Sequence, residues 1–169
     1  AIFESSMDQA KRHGHGIHFT SELDIQKIVN PTIIRPFREK MAKAKDKKEL
    51  AKILDEIQNF KVLDPACGSG NFLYIAFREL RRLEIEIYEQ MEKNVNPKQL
   101  RFGLISPKNF YGIDTNVFGL ELARVALCIG RKLSADEFGM SDNVLPFDNL
   151  DANFSSKDAL FSEWPKVNS

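Results

Sequence analysis

The chain has 169 residues, the length of one domain with a single sizeable core, and its 28% charged and 43% hydrophobic content is that of a globular rather than a disordered protein. Lys plus Arg balance Asp plus Glu at 24 each, so the molecule as a whole offers polyanions no general attraction. No apolar run approaches the ~20 residues of a membrane span, no basic stretch leads into an apolar one as in a signal peptide, and Cys67 and Cys128 suit neither a disulfide framework nor a metal site, so a cytoplasmic chain with reduced thiols is expected.

In chain order, residues 1–19 show no sustained periodicity and predict an arm or loop. A helix is predicted from Ser21, where Thr20 or Ser21 can cap the first turn and Leu23, Ile25, Ile28 and Val29 form an apolar stripe. Pro31 and Pro36 are expected to break or restart it. The stretch Arg35–Lys52 is rich in Lys and Arg, opposed only by Glu39, Asp46 and Glu49, and reads either as a solvated face or as a surface that touches phosphate. A second helix is predicted from about Asp46 to Ile57, with Leu50, Ile53, Leu54 and Ile57 on one face.

Phe60-Lys61-Val62-Leu63 then reads as a buried strand that ends at Asp64-Pro65 and a turn, Cys67-Gly68-Ser69-Gly70. Asn71 to about Lys93, free of Gly and Pro, predicts a long helix, and the connection that follows carries Pro97, Gly103 and Pro107. A second strand, Asn109 to Ile113, ends at Asp114, and Val117 to Leu133 predicts another long helix. Residues 134–149 read as an acidic loop, followed by a short strand near Ala152 to Ser155 and a helical turn near Ala159 to Trp164. This βαβα order predicts an α/β fold with a parallel sheet of about three strands and helices on both faces, preceded by a helical segment. Residues 1–58 are expected to form the arm and helical segment and 59–169 the α/β part, a sheet short of the five or more strands of a complete doubly wound fold.

The chemistry concentrates at Val62-Leu63-Asp64-Pro65-Ala66-Cys67-Gly68-Ser69-Gly70-Asn71-Phe72-Leu73. Gly68 and Gly70 let the backbone turn sharply and approach a ligand, and the amides that open the next helix face it. Asp64 adds a carboxylate at the strand end, which disfavours a polyanion and favours a positive amino or sulfonium group over a dinucleotide pyrophosphate. Asp114, at the end of the second strand, can accept hydrogen bonds from ribose hydroxyls; taken alone it serves equally as a helix cap. Its spacing from Asp64 is longer than the ~20 residues usual in dinucleotide folds.

The string Asp-Pro-Ala-Cys-Gly-Ser-Gly-Asn-Phe-Leu resembles the cofactor motif of S-adenosylmethionine-dependent DNA adenine methyltransferases of the type IIG and type I restriction-modification enzymes. The resemblance runs from about Gly16 to Val167 and implies a partial Rossmann-like methyltransferase fold. It implies that Asp64, Ala66, Cys67, Gly68, Gly70, Asn71 and Phe72 wrap S-adenosylmethionine, that Asp114 holds the ribose, and that Asp158, which is also placed to cap a helix, lies near the adenine amino group. Phe19 would cover the ligand and Thr20 would bond its polar end, although a hydrophobic staple and a cap explain the two equally well. No catalytic residue is assigned, because the family's Asn/Asp-Pro-Pro-aromatic motif would follow beyond Ser169. Double-stranded DNA and a C-terminal half or companion subunit are the implied partners. His13, His15 and His18 lack carboxylate partners, so no metal site is expected. Two other readings remain open, a nicotinamide-dependent oxidoreductase fragment and a non-enzymatic interaction subunit with a vestigial pocket.

Overall fold

The computed structural model describes residues 20–91, 105–137 and 149–164. Helix α1 (Glu22–Val29) begins where Ser21, in an extended conformation, accepts the Asp24 N–H on its hydroxyl. Pro31 does not end it. Over Asn30–Ile34 the backbone widens into a π-helical turn, in which the Arg35 N–H reaches back to the Asn30 carbonyl, and α2 (Arg35–Lys43) continues with Pro36 in its first turn. The expected break at Pro31 is therefore corrected, while Pro36 stands in the first turn of α2, where a restart was expected. A proline lacks an N–H and crowds the carbonyl four residues back, and a wider turn relieves that conflict by shifting the pairing one residue. The Thr32 hydroxyl also donates to the Ile28 carbonyl at 2.6 Å.

Helix α3 (Lys47–Asn59) opens on a reciprocal cap: Asp46 accepts the Glu49 N–H at 2.8 Å, and the Glu49 carboxylate accepts the Lys45 N–H at 2.8 Å. Its buried face is Leu50, Ile53, Leu54 and Ile57, as the spacing predicts. The strand expected from Phe60 begins two residues later, as β1 (Val62–Asp64), because the Phe60 N–H still closes the helix on Ile57 and its ring packs edge-on against Phe37, 5.3 Å away.

Strand β1, helix α4 (Asn71–Met91), strand β2 (Phe110–Asp114), helix α5 (Val117–Glu137) and strand β3 (Phe154–Ser156) complete the described elements. The strands lie parallel in the order β1-β2-β3, with Asp64 opposite Gly112 and Asp114 opposite Ser156. Helices α4 and α5 pack along each other and both touch β2, so the two crossovers share one face of the sheet. Helices α1–α3 join the same core. Phe77 of α4 and Phe110 of β2, both fully buried, meet edge to face at 5.5 Å.

Side-chain amides fix the far end of the sheet. Asn109 donates to the Gln58 carbonyl, and Asn153 donates to the carbonyls of Lys108 and Phe110, joining α3, β2 and the turn before β3. On the outside of α4, Glu79 accepts from Gln26, Arg78 and Arg82, which ties α1 to α4. Beyond β3 the chain makes a simple turn at 159–161 rather than a helix.

Candidate cofactor site

The site forms where β1 ends. Gly68 and Gly70 adopt φ of +51° and +79°, left-handed conformations that side chains rarely take, and these two residues reverse the chain from β1 into α4. Three backbone bonds hold the loop: Cys67 N–H to Ile113 O, Gly70 N–H to Cys67 O and Tyr74 N–H to Gly70 O, all at 2.8–3.0 Å. A Cβ on Gly70 would lie 2.7 Å from that of Ala123, so α5 presses directly against the bend.

Asp114 reaches this loop from the neighbouring strand. One carboxylate oxygen accepts the Gly68 N–H and the other the Asn116 N–H, each at 2.8 Å, while the Asp114 carbonyl accepts the Lys157 N–H from beyond β3. Asn116 in turn caps α5 by accepting the Gly119 N–H. One acidic residue thus joins the loop, the start of α5 and the end of β3. Each of its oxygens keeps a second lone pair for a ligand.

Asp64 stands half-buried beside the loop and, among the described residues, accepts only the Ala66 N–H, at 3.0 Å. Burial pushes its carboxyl above the usual aspartate range; the Ala66 bond opposes that rise and the nearby Asp114 charge adds to it. The same surroundings push the Cys67 thiol up to about 12, first through burial and then through Asp64 and Asp114. A pocket lined by the Asp64 carboxylate and an inert thiol, with the Asp114 carboxylate bonded to its loop, is suited to a cationic guest.

A cavity of about 360 Å³ opens here, within the ~300–1,000 Å³ range of small-molecule sites. Of the residues singled out in the sequence, Thr20, Asp64, Ala66, Cys67, Gly68, Asn71 and Phe72 line it. Gly70 packs against Ala123 of α5 and does not line the cavity, and Asp114 touches the loop without lining it. Asp158 is not brought to it: exposed after β3, it accepts the Leu160 N–H at 2.9 Å and caps its own turn. Phe19, His13, His15 and His18 lie outside the described residues. The opposite wall is Ile28, Val29, Thr32 and Ile33, which the sequence reading missed as site residues. Their signal was the four-residue spacing of Ile28 and Thr32, legible only to a reader who carries the helix through Pro31.

Residues 39–169 match the family described as the MmeI DNA-methyltransferase domain. The chain belongs to that family. DNA methyltransferase A of Bacillus subtilis is 30% identical over 138 residues, 81% of this chain and 16% of that protein. A putative type II restriction enzyme and methyltransferase of Methanocaldococcus jannaschii is 29% identical over 119 residues, 69% of this chain and 10% of its own length. Among solved structures, the Type IIL restriction-modification enzyme MmeI in complex with DNA superposes with a TM-score of 0.75 at 30% identity, over 98% of this chain and 23% of that one. The α/β fold with its parallel sheet is thus the MmeI methyltransferase fold, and the expected kinship with restriction-modification methyltransferases holds. The chain spans under a quarter of the length of each of these relatives. Among the described residues, no helix is long and apolar enough to cross a membrane.

Proposed function

We propose that this chain is the S-adenosylmethionine-binding part of a cytoplasmic, site-specific DNA methyltransferase that modifies adenine at N6. The observation that carries the reading is the joined pair of acids: Asp64 beside the cavity and Asp114 fastened to the same glycine loop through the Gly68 N–H. S-adenosylmethionine, when bound, supplies a methyl group activated by its sulfonium charge. The donor set suits that molecule, because Asp64 offers an under-used carboxylate to its ammonium group and Asp114 offers lone pairs to its ribose hydroxyls.

The remaining walls position and dry the ligand. Gly68 and Gly70 give the backbone its close approach, and Ile28, Ile33 and Phe72 exclude water from the apolar side, which strengthens every charge contact within. Thr20 and Asn71 add polar contacts at the rim. None of the described residues is assigned to the DNA base; contact with the flipped adenine and recognition of its sequence belong, on this reading, to other parts of the protein or to a companion subunit. The adenine assignment draws support from a third relative, the adenine-specific methyltransferase PglX of Streptomyces coelicolor, 31% identical over 114 residues.

Isothermal calorimetry with S-adenosylmethionine tests the reading. The wild-type chain is expected to bind, an Asp64→Ala, Asp114→Ala double variant to lose the heat, and NADH to give none. Silence from the folded wild-type chain would refute it. Transfer of labelled methyl groups to DNA by the full-length protein, with digestion to nucleosides, then tests adenine N6 as the acceptor.

A further inference from the structure

The cations of Arg35–Lys52 divide into two groups. Arg35 pairs with Glu39 at 2.9 Å, Arg38 with Glu86 at 2.6 Å, and Lys40 with Glu56. Lys43, Lys45, Lys47, Lys48 and Lys52 are all exposed and have no ion-pair partner among the described residues. They run from the end of α2 across the bend into the second turn of α3.

The two acids within this stretch do not answer them. Asp46 and Glu49 turn to the backbone and spend their oxygens on the cap that opens α3. Even with both acids counted against the five lysines, Lys43–Lys52 carries a formal net charge of +3 in a chain whose total is zero. Helix α3 holds Leu50, Ile53, Leu54 and Ile57 in the core, so Lys48 and Lys52, one turn apart, project outward. A merely solvated face interleaves both signs, as at Lys27–Asp24 on α1 and Lys132–Asp136 on α5. At this bend one sign is left over.

We infer that the α2–α3 bend grips the phosphate backbone of duplex DNA without reading its sequence. The inference rests on the proposed methyltransferase function and names a surface through which the assembled enzyme holds its substrate. Duplex DNA presents about one negative charge per 1.7 Å of axis, so a cluster of five ammonium groups can meet several phosphates. Lysine, a flexible point charge, suits backbone contact and not the bidentate reading of a base edge. The bend falls inside the stretch that matches the methyltransferase-domain family, so it belongs to that domain.

The test uses the full-length protein with all five lysines changed to glutamine, Asp46 and Glu49 being left in place. A control carries Lys27→Gln and Lys132→Gln. Fluorescence anisotropy follows binding to a specific and an unrelated duplex between about 50 and 200 mM salt. The expected result is a slope of log K against log salt reduced by about 0.9 for each phosphate that is no longer neutralised, roughly two to four phosphates altogether. Affinity falls alike for both duplexes, while the melting temperature, the heat of S-adenosylmethionine binding and the control's slope stay at wild-type values. Should the fivefold variant melt early, Lys48→Gln with Lys52→Gln carries the test, with a slope reduced by about one to two. An unchanged slope, or a loss confined to the specific duplex, overturns the inference. Wild-type protein that binds no duplex at the lowest salt overturns the methyltransferase reading with it.

Discussion

Changing Gly70 to alanine tests how the loop is held. Two penalties add. At φ of +79° an alanine takes a left-handed conformation, which costs about 1–2 kcal/mol. Its Cβ would also stand 2.7 Å from the Ala123 Cβ and 2.8 Å from the Ala123 Cα. Ala123 is fully buried in the middle of α5 and cannot give way, so overpacking adds about 1–3 kcal/mol. Gly68→Ala separates the two, because φ there is +51° but nothing lies within 4 Å of the added atom. Gly68→Ala should therefore cost about 1–2 kcal/mol and Gly70→Ala about 2–5 kcal/mol. For a chain of this size the larger loss is a fall of roughly 4–20 °C in Tm. Urea unfolding followed by circular dichroism, with calorimetric melting, measures both. If Gly70→Ala proves no more costly than Gly68→Ala, the claim that α5 presses on the bend is wrong.

Asp114→Asn should lower stability by about 1–3 kcal/mol and weaken S-adenosylmethionine binding tenfold or more, because one amide oxygen cannot serve both the Gly68 and Asn116 N–H groups; unaltered unfolding would count against the bridge. Asp64 has a raised carboxyl pKa, so its favourable contribution is present in acid and lost as pH climbs through the native value. Asp64→Asn should accordingly unfold at higher urea than wild type near neutral pH, with the gain vanishing below the ordinary aspartate value of 3.8; a gain that persists in acid contradicts the burial argument. The Cys67 thiol, pushed up to about 12 and buried, should resist iodoacetamide at pH 8 until the chain is unfolded, as peptide mass spectrometry would show; rapid labelling of the native protein contradicts the placement of the thiol.

What the sequence disclosed follows from how local each cause is. The strand, bend and helix around Asp64–Asn71 were legible because glycine and periodicity act within a few residues, and the same holds for α3 and its Asp46 cap. Asp114 was placed correctly at the end of β2, yet its bond to Gly68 spans 46 positions and no pattern in the chain announces it. The cavity wall at Ile28–Ile33 escaped because a rule about single prolines outweighed the apolar spacing, whereas the fold satisfied both by widening one turn. Asp158 shows the converse limit. Its two sequence roles, cap and ligand partner, look alike in one dimension, and the bond from the Leu160 N–H speaks to the cap alone.

That widened turn also fixes the length of the helix that contains it. In an α-helix each residue advances the chain by about 100°, so one residue more or less rotates everything downstream by that amount. The core positions Ile25, Val29, Ile34, Phe37 and Met41 step by four, five, three and four, and the step of five falls inside Asn30–Ile34. The π turn absorbs an inserted residue without swinging Phe37 and Met41 into water, and the bulge it creates faces the cavity with Ile28, Thr32 and Ile33. Deleting a single residue there would make a more regular helix, and it would do so by putting the core-facing residues before the turn out of step with those after it.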